Sequence, residues 1–322
     1  MKYRTLGRTG WEVSEIGFGA WGIGRDLWVG ADDSQSLAAL NRAIDGGLNF
    51  VDTALAYGEG RSERLVGEML EARPERVYVA TKVPPRNRRW PAWGNLEEVF
   101  PGRHIRESAE QSLRNLRLER IDLLQLHVWN PDWLGEGEWL EELSALKNEG
   151  KIRHFGISIN DHQPESALEV VRSGLIDTVQ VIYNIFEQSP EDRLFPVCLE
   201  NNVGIIARVP FDEGALTGEI TSERRFSKKD WRNRYFKGDR KRQVEERVRA
   251  LVPLLDQTTS GLPALALKFC LHHPAVGVVI PGMRKPDHVS RNLAVSREAP
   301  LSAEQLERLR GHRWEKNFYK PD

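Results

Sequence analysis

The 322-residue sequence predicts an α/β protein with a (β/α)₈ TIM-barrel fold, in a single domain that spans residues 1–322. Eight short apolar runs alternate with segments whose apolar residues recur at helical spacing. No linker separates these units, and the length is normal for one barrel of this kind. A doubly wound open sheet shows the same alternation, so the pattern leaves it as the alternative.

The chain is expected to open with a β-hairpin. Turn residues at positions 6–10 separate two short extended pieces. The first main strand is predicted at residues 13–19. The first helix follows at residues 34–45, with Asp33 or Ser34 as its N-cap.

The later elements follow from the same two patterns, apolar runs for strands and apolar stripes for helices. The remaining strands are predicted at residues 49–52, 77–82, 121 to His127, 152–158, 177–182, 204–208 and 275–280. The remaining helices are predicted at residues 62–71, 103–117, 137–148, 164–172, 191–201, 244–255, 262–271, and, as extra C-terminal helices, 286–293 and 302–310. Two stretches break the rhythm: residues 83–102, with Trp90 and Trp93, and a basic stretch at 217–243.

The composition argues against several classes of function. A formal net charge of −1 does not favour a general nucleic-acid binder. The apolar runs are too short to span a bilayer, and the N-terminus lacks the apolar core of a signal peptide. Cys198 and Cys270 stand far apart, which predicts buried thiols in a reducing compartment, with a disulfide as the alternative. A cytoplasmic protein is therefore the default expectation.

Three predicted strands end in groups that can take part in chemistry. Asp52 ends one strand, and Tyr57 follows it after a short turn of small residues. Lys82 and His127 end the next two strands. Because the C-terminal ends of barrel strands meet at one face, we expect these four side chains to form one site. Each alone would also fit a structural role, as an ion pair, a packed ring or a core histidine.

Later strands point to the same place. Ser158, Gln180 and Arg208 each lie at or close to the C-terminal end of a predicted strand. The barrel rule therefore predicts that they face the site formed by the first four residues.

Other motifs have weaker interpretations. Residues 17–22 match G-x-G-x-x-G, but a loop precedes the next helix and the next strand-end acid lies too far along for a Rossmann fingerprint. No Cys/His cluster has the spacing of a metal site. The basic run at 224–242 fits a nucleic-acid patch, a solvated loop or a flap that neutralises a bound phosphate, and the flap is favoured.

The four strand-end groups suit proton transfer to a carbonyl oxygen. A tyrosine has a pKa of about 10, and an adjacent ammonium such as that of Lys82 favours the phenolate. Asp52 would hold and polarise Lys82, and His127 is placed to hydrogen-bond the oxygen that Tyr57 protonates. No side chain donates hydride, so a nicotinamide cofactor would have to supply it.

With these residues in place, the sequence resembles the aldo-keto reductase superfamily over nearly its whole length. The matching stretches are residues 49–58, 80–82, 112–116 with 121–127, 150–158, 180–184, 214–218 and 280–282. The likeness is to the bacterial branch, near the channel β-subunit-like and related long-chain members. It implies an NADP(H)-dependent oxidoreductase, with NAD(H) as the alternative, that reduces an aldehyde or ketone to an alcohol.

The resemblance also implies roles for individual residues. It makes Tyr57 the general acid/base, with Asp52, Lys82 and His127 around it. Cofactor binding is implied for Ala20, Trp21, Asp52, Ser158, Gln180, Arg208, Val209, Pro210, Phe211, Gly214, Gly218, Gly282, Arg284, His288 and Asn292. Ser158 and Gln180 would bind the carboxamide of the nicotinamide, residues 210–218 would cross the pyrophosphate, and residues 282–292 would hold the adenosine end.

The sequence departs from the family pattern at three places. Ser158 is followed by isoleucine before Asn160, where the family has Ser-Asn. Arg208 stands where an aromatic residue usually stacks on the nicotinamide, and the alternative for it is an outward ion pair with Asp212 or Glu213. At the positions that grip the 2′-phosphate in the best-known branch this chain has Gly282 and His288, with Arg284 between them.

An alternative function is a regulatory subunit that binds the cofactor with little turnover. For an enzyme, the expected partner is a small-molecule carbonyl substrate, without nucleic acid or membrane, and the oligomeric state is left open. An aromatic-walled mouth is predicted from Trp21, Trp90, Trp129, Trp133 and Trp314. Such a wall would suit an apolar or planar aldehyde or ketone.

Overall fold

The computed structural model describes residues 1–25, 27–30, 32–91, 94–314 and 316–320, so Trp93 of the predicted loop lies outside it. The strands are β1 (Tyr3–Thr5), β2 (Glu12–Ser14), β3 (Phe18–Gly19), β4 (Phe50–Asp52), β5 (Tyr78–Val83), β6 (Ile121–Leu126), β7 (Ile152–Ser158), β8 (Thr178–Ile182), β9 (Gly204–Arg208) and β10 (Val276–Val279). The α-helices are α1 (Asp33–Asp45), α2 (Arg61–Glu71), α3 (Leu96–Val99), α4 (Gly102–Leu116), α5 (Trp139–Asn148), α6 (Leu168–Arg172), α7 (Leu194–Glu200), α8 (Arg232–Tyr235), α9 (Arg240–Arg249), α10 (Leu262–His272), α11 (Pro286–Ala294) and α12 (Ala303–Arg310).

The parallel sheet closes on itself. Within the described residues, eight strands follow one another in chain order from β3 to β10. Two isolated bridges join the edges, one between Ile16 and Val279 and one between Gly19 and Gly282. The N–H of Gly17 donates to the carbonyl of Val279 over 2.8 Å. This closure confirms the predicted barrel and rules out the open-sheet alternative.

The glycines at positions 17–22 serve this closure rather than a Rossmann turn. A Cβ on Gly19 would lie 2.6 Å from the carbonyl oxygen of Ile280, so a side chain there would push the first and last strands apart. A Cβ on Gly22 would lie 2.7 Å from Cδ of Arg284. The motif therefore permits close backbone and side-chain packing across the seam of the barrel.

The N-terminal hairpin fills one end of the barrel. β1 and β2 pair antiparallel, which confirms the hairpin. Leu6, in the turn after β1, packs with Val13, Phe50 and Leu123 in a buried cluster. A Cβ on Gly204, at the start of β9, would lie 2.8 Å from Cδ1 of Leu6. The hairpin thus covers the N-terminal ends of the strands and leaves the C-terminal ends for polar groups.

The prediction of one strand at residues 13–19 is wrong. Residues 12–14 form β2 and pair with β1 in the hairpin, whereas Phe18 and Gly19 form β3 and pair with β4. Ser14 marks the change of direction, because its N–H donates to Oδ1 of Asn49 over 2.6 Å and its hydroxyl donates to the carbonyl of Ile16 over 2.9 Å. These side-chain bonds lead the chain from the hairpin into the barrel wall.

Helix boundaries also differ from the prediction, as α1 and α9 show. Asp32, rather than Asp33 or Ser34, caps α1, since its Oδ1 accepts from the N–H of Gln35 over 2.9 Å. α9 begins at Arg240, four residues before the predicted start, and ends at Arg249. Its basic first turn is compatible with a helix because the exposed Arg242 pairs with a carboxylate before it and one after it.

The cysteines and the apolar character of the helices can be compared with what the composition predicted. Cys198 and Cys270 are both buried free thiols, in agreement with the prediction. Among the helices of the described residues, none combines the length and the apolar character that a membrane crossing requires.

Candidate active site

Asp52, Lys82 and Gln180 form a buried hydrogen-bonded row at the C-terminal ends of β4, β5 and β8. Lys82 Nζ donates to Asp52 Oδ2 over 2.7 Å, and Gln180 Nε2 donates to Asp52 Oδ1 over 2.7 Å. Lys82 Nζ also donates to the carbonyl of Thr53 over 2.8 Å. Both oxygens of the carboxylate are engaged, so the ammonium is held in a fixed place.

A tight turn after β4 presents Tyr57 to this row. The N–H of Tyr57 donates to the carbonyl of Ala54 over 3.0 Å, and Gly58 follows with a φ of 61°. A Cβ on Gly58 would lie 2.0 Å from the carbonyl oxygen of Gly24, so glycine is required where the turn meets the loop after β3. Lys82 Nζ donates to the phenolic oxygen of Tyr57 over 3.4 Å.

His127 stands at the end of β6 beside the phenol. The backbone N–H of His127 donates to the carbonyl of Val83 over 3.0 Å. The centroid of its ring lies 5.7 Å from that of the Tyr57 ring. Burial holds the pKa of His127 well below its usual value, and the positive charges of Lys82 and Arg208 act in the same direction. The imidazole is therefore neutral at physiological pH, and its Nδ1 has no hydrogen-bond partner among the described residues.

Burial and an ion pair act against each other on Lys82. Burial lowers the pKa of its ammonium, and Asp52 opposes this through charge and hydrogen bonding. Arg208 adds a second positive charge nearby, which also lowers the pKa of Lys82. A positive charge next to a phenol favours loss of the phenolic proton, so this arrangement suits proton transfer at Tyr57.

The residues predicted to bind the carboxamide are brought together only in part. Ser158 and Gln180 are both buried, and the Ser158 hydroxyl makes one long hydrogen bond of 3.5 Å to Gln180 Oε1. Asn160 is committed elsewhere, because its Nδ2 donates to the carbonyl of Trp129 and to Gln163 Oε1, each over 3.0 Å. The inserted isoleucine of the Ser-Ile-Asn sequence thus coincides with an asparagine that bonds to the loop after β6 and to its own loop.

Arg208 pairs with a residue that sequence reasoning did not name. Its Nη2 donates to Asp161 Oδ1 over 2.8 Å and to the carbonyl of Ile159 over 3.0 Å. The predicted alternative pairing with Asp212 or Glu213 is wrong. Arg208 Nε is buried and has no hydrogen-bond partner among the described residues, so the guanidinium keeps a polar edge inside the barrel mouth.

Asp212 and Glu213 instead anchor the C-terminal tail. Asp212 Oδ2 accepts from Lys316 Nζ over 2.7 Å, and Glu213 accepts from the hydroxyl of Tyr319. Burial raises the pKa of Glu213 to about 8. These contacts hold the loop at residues 209–218, which contains the predicted cofactor residues Val209, Pro210, Phe211, Gly214 and Gly218.

This loop has an unusual backbone. Val209, Asp212 and Glu213 have φ values of 56°, 48° and 57°, and Gly214 has 98°. A Cβ on Gly214 would meet nothing within 4 Å. Left-handed backbone turns its amide groups in directions that ordinary loops do not offer, and such runs form concave sites for anions.

The predicted adenosine end lies near the start of α11. Gly282 and His288 are exposed, Arg284 is half-buried, and Asn292 is buried. Arg284 Nη1 donates to the carbonyl of Val29 over 3.0 Å. The guanidinium thus lies at the loop after β3, on the rim of the barrel mouth.

Ala20 and Trp21 begin the loop after β3, and both lie close to the hydrogen-bonded row of Asp52, Lys82 and Gln180. The N–H of Ala20 donates to the carbonyl of Asp52 over 2.9 Å. The ring of Trp21 has its centroid 6.2 Å from that of Tyr57. Ala20 therefore contacts Asp52 through its backbone, whereas the ring of Trp21 lies beside the phenol of Tyr57.

The aromatic mouth differs from the predicted one. Trp90 lies at the site, with its ring centroid 5.7 Å from that of His127. Trp129 and Trp133 are buried in the core instead, where they pack on each other. Trp314 packs against Phe186, at a centroid distance of 5.6 Å.

Two tryptophans at the mouth were missed by sequence reasoning. Trp28 and Trp231 lie 5.7 and 5.4 Å from Trp21 between ring centroids. Trp231 belongs to the basic stretch, and its neighbour Arg232 pairs with Asp230 and lies 4.5 Å from the centroid of the Trp28 ring. The signal was present in the aromatic residues among the basic ones, which mark a segment that packs rather than a solvated loop.

The closed barrel thus brings an acid, a phenol, an amine and an imidazole together at its mouth. The model of the aldo/keto reductase family matches residues 15–313, and the chain belongs to this family.

Individual relatives cover most of the chain. The aldo-keto reductase YhdN of Bacillus subtilis (strain 168) is 32% identical over 294 residues, which are 89% of this chain and 86% of the relative. The NADH-specific methylglyoxal reductase of Escherichia coli (strain K12) is 30% identical over 309 residues, 91% of this chain and 93% of the relative. The predicted resemblance to bacterial members is thereby confirmed.

Solved structures agree with the fold. The glycerol dehydrogenase AKR11B4 from Gluconobacter oxydans superimposes with a TM-score of 0.79 at 28% identity, covering 97% of this chain and 94% of that one. Members of the family are oxidoreductases that act on small-molecule carbonyl compounds with nicotinamide cofactors, and this chain shares their fold over nearly its whole length.

Proposed function

We propose that this protein reduces the carbonyl group of an aldehyde or ketone to an alcohol, with Tyr57 as the proton donor and NADP(H) as the favoured cofactor. The observation that carries the proposal is the hydrogen-bonded order Asp52, Lys82, Tyr57, with 2.7 Å between the first pair and 3.4 Å between the second. Such an order makes a phenol with a pKa of about 10 a usable acid, because the ammonium stabilises the phenolate left behind.

The bound nicotinamide would supply the hydride that no side chain can provide. The remaining steps belong to the protein. His127, as a neutral imidazole, would hydrogen-bond the substrate oxygen and set its position next to Tyr57. Tyr57 would then transfer its proton to that oxygen, and Lys82 would stabilise the resulting phenolate while Asp52 fixes Lys82.

The residues at the mouth fit a nicotinamide cofactor. Ser158 has a hydroxyl whose hydrogen bond of 3.5 Å is long enough to be exchanged for a better one. Arg208 Nε and His127 Nδ1 are buried atoms whose hydrogen-bonding capacity is unused by the described residues. The left-handed run near Gly214 would accept the pyrophosphate, and Gly282, Arg284 and His288 would face the adenosine end.

Preference for NADP(H) rests on Arg284. Its half-buried guanidinium stands on the rim where the 2′-phosphate would lie, and charge-assisted pairs of this kind contribute about 1.5–3 kcal/mol. Arg284 already donates to a backbone carbonyl, and one relative is named as NADH-specific, so a moderate preference is expected instead of an absolute one.

Nicotinamide absorbance in a panel of aldehydes, ketones and sugars, with NADPH and NADH, tests the proposal. Turnover of at least one carbonyl class, lost in Tyr57→Phe, supports it. The second candidate, a regulatory subunit, predicts tight cofactor binding with turnover no greater than that of Tyr57→Phe on every compound. Absence of binding to either cofactor would overturn both.

A further inference from the structure

Glu63 is a buried carboxylate that the proposed reaction does not use. It lies in the first turn of α2 and is fully buried. Its Oε1 accepts from Thr81 Oγ1 over 2.6 Å, and its Oε2 accepts from Asn115 Nδ2 over 2.8 Å. Within the described part of the chain, Glu63 makes no ion pair, and a buried carboxylate without one is costly.

Glu63 contacts β5, which carries Lys82, and itself lies in the segment that follows Tyr57. Thr81 is the residue before Lys82 on β5. On the other side, α2 begins directly after the turn that carries Tyr57, and the N–H of Ser62 donates to the carbonyl of Tyr57 over 3.2 Å. Glu63 therefore connects the element that carries the ammonium to the element that carries the phenol.

Further contacts make this connection rigid. Thr53 Oγ1 donates to Ser62 Oγ over 2.8 Å, and Ser62 Oγ donates to the carbonyl of Ala20 over 2.9 Å. A Cβ on Gly60 would lie 2.3 Å from Asn115 Nδ2, so Asn115 packs against the end of the Tyr57 turn as well as against Glu63. The start of α2 is thus fixed on β4, on α4 and on the loop after β3.

The positive charge of Lys82 acts on Glu63 and lowers its pKa. Burial raises the pKa of Glu63, while Asn115, Thr81 and the charge of Lys82 lower it. Among titratable groups around Lys82, Asp52 and Glu63 favour the ammonium and Arg208 opposes it. His127 is neutral and adds no charge.

We propose that Glu63 is a positioning residue of this site, which fixes the Tyr57 turn against the Lys82 strand and gives the buried ammonium a second negative charge behind Asp52. The link to turnover rests on the proposed function, whereas the charge effect on Lys82 does not. Both carboxylate oxygens of Glu63 accept hydrogen bonds, one from Thr81 and one from Asn115, and the carboxylate also brings its charge to the strand that carries Lys82.

The titration of Lys82 tests the charge effect without any turnover. In the full chain labelled with ¹³C-lysine, the Cε resonance of Lys82 is assigned by its loss in Lys82→Arg and followed against pH. Glu63→Gln and Glu63→Met, two neutral variants of similar volume, should each lower the midpoint by about one pH unit, because the loss of a nearby negative charge disfavours the ammonium. Having two such variants keeps the test available if one of them fails to fold.

Thr81→Val is the matched control. It removes a hydrogen bond to Glu63 but leaves the charge, so its Lys82 midpoint should equal that of the wild type. An unchanged midpoint in the neutral variants, or an equal shift in Thr81→Val, would overturn the charge effect. Either result leaves the proposed reductase function untouched.

The pH profile of kcat tests whether Glu63 affects turnover. In Glu63→Gln the alkaline limb should move to lower pH by a similar amount, with the Kd of the cofactor unchanged. A lower kcat with an unmoved limb would reduce Glu63 to a structural residue. A wild type that reduces no carbonyl compound would contradict the proposed function but not the titration result.

Discussion

The ammonium of Lys82 lies 3.4 Å from the phenolic oxygen of Tyr57, although Tyr57 lies in the turn after β4, Lys82 lies on β5, and the whole of α2 separates them in the chain. The contact exists because β4 and β5 are parallel neighbours whose C-terminal ends meet at the barrel mouth. Lys82 is fully buried, so its charge acts on Tyr57 with little screening by water.

Tyr57→Phe should lower kcat by about 10²–10⁴-fold, the usual contribution of a positioned general acid, because only the transferable proton is removed. The Kd for NADPH, measured by fluorescence titration, should change little, which controls for damage to the site. Turnover near that of the wild type would show that another group is the acid.

Lys82→Met should also abolish most activity, and any residual activity should show a higher pKa in its pH–rate profile because the phenolate loses its neighbouring charge. The variant also leaves Asp52 buried without its cation, at a cost of about 3–5 kcal/mol in the free energy of unfolding. Thermal unfolding measures this loss. Lys82→Arg, which keeps a charge, should lose less stability; equal losses in both variants would contradict the ion-pair explanation.

Arg284→Ala should raise the Kd for NADPH by about tenfold or more and leave the Kd for NADH nearly unchanged, because only NADPH carries the 2′-phosphate. Arg297→Ala removes the same charge from an exposed side chain outside residues 282–292 and is the matched control. Isothermal titration of both cofactors gives the constants. Equal losses for NADPH and NADH in Arg284→Ala would mean that this residue does not recognise the phosphate.

Arg208→Tyr should narrow the gap between the Kd values for NADP⁺ and NADPH. If the guanidinium covers the nicotinamide, it disfavours the cationic oxidised ring and tolerates the neutral reduced one. Asp161 neutralises part of this charge through its 2.8 Å ion pair, so Asp161→Asn should widen the gap. The same ratio of constants in wild type, Arg208→Tyr and Asp161→Asn would refute stacking by Arg208.

In Glu213→Gln, the free energy of unfolding should fall less between about pH 5 and pH 8 than it does in the wild type. In the folded protein the pKa of Glu213 is raised from 4.5 to about 8, so the unfolded chain binds fewer protons in this window and stability falls as pH rises. A difference of one between the folded and unfolded pKa corresponds to about 1.4 kcal/mol in the free energy of unfolding. Thermal unfolding at both pH values measures the effect, and an equal fall in the variant would contradict it.

The parts of the site that were predictable are local in sequence. Asp52, Lys82 and His127 each end an apolar run, and in a parallel barrel such ends converge whatever the details of packing. The same rule applies to Ser158 and Gln180. For these residues a strand assignment accurate to a few positions was enough.

Partners chosen by loops could not be predicted in this way. Asp161 holds Arg208 from the loop after β7, whereas Asp212 and Glu213, nearer in sequence, face the C-terminal tail. Trp129 and Trp133 had the same composition signal as Trp90 but entered the core. A tryptophan in a loop is apolar enough for either place, and only the surrounding elements decide.

By itself, the sequence determined the alternation of strands and helices, the hairpin, and the acid–phenol–amine–imidazole set, because periodicity and strand ends are properties of short segments. The tertiary structure decided the closure of the barrel at Gly19, the ion pair of Arg208 and the aromatic mouth around Trp21. These features depend on contacts between residues far apart in the chain. Their free energies belong to packed surfaces and paired charges, which no single segment contains.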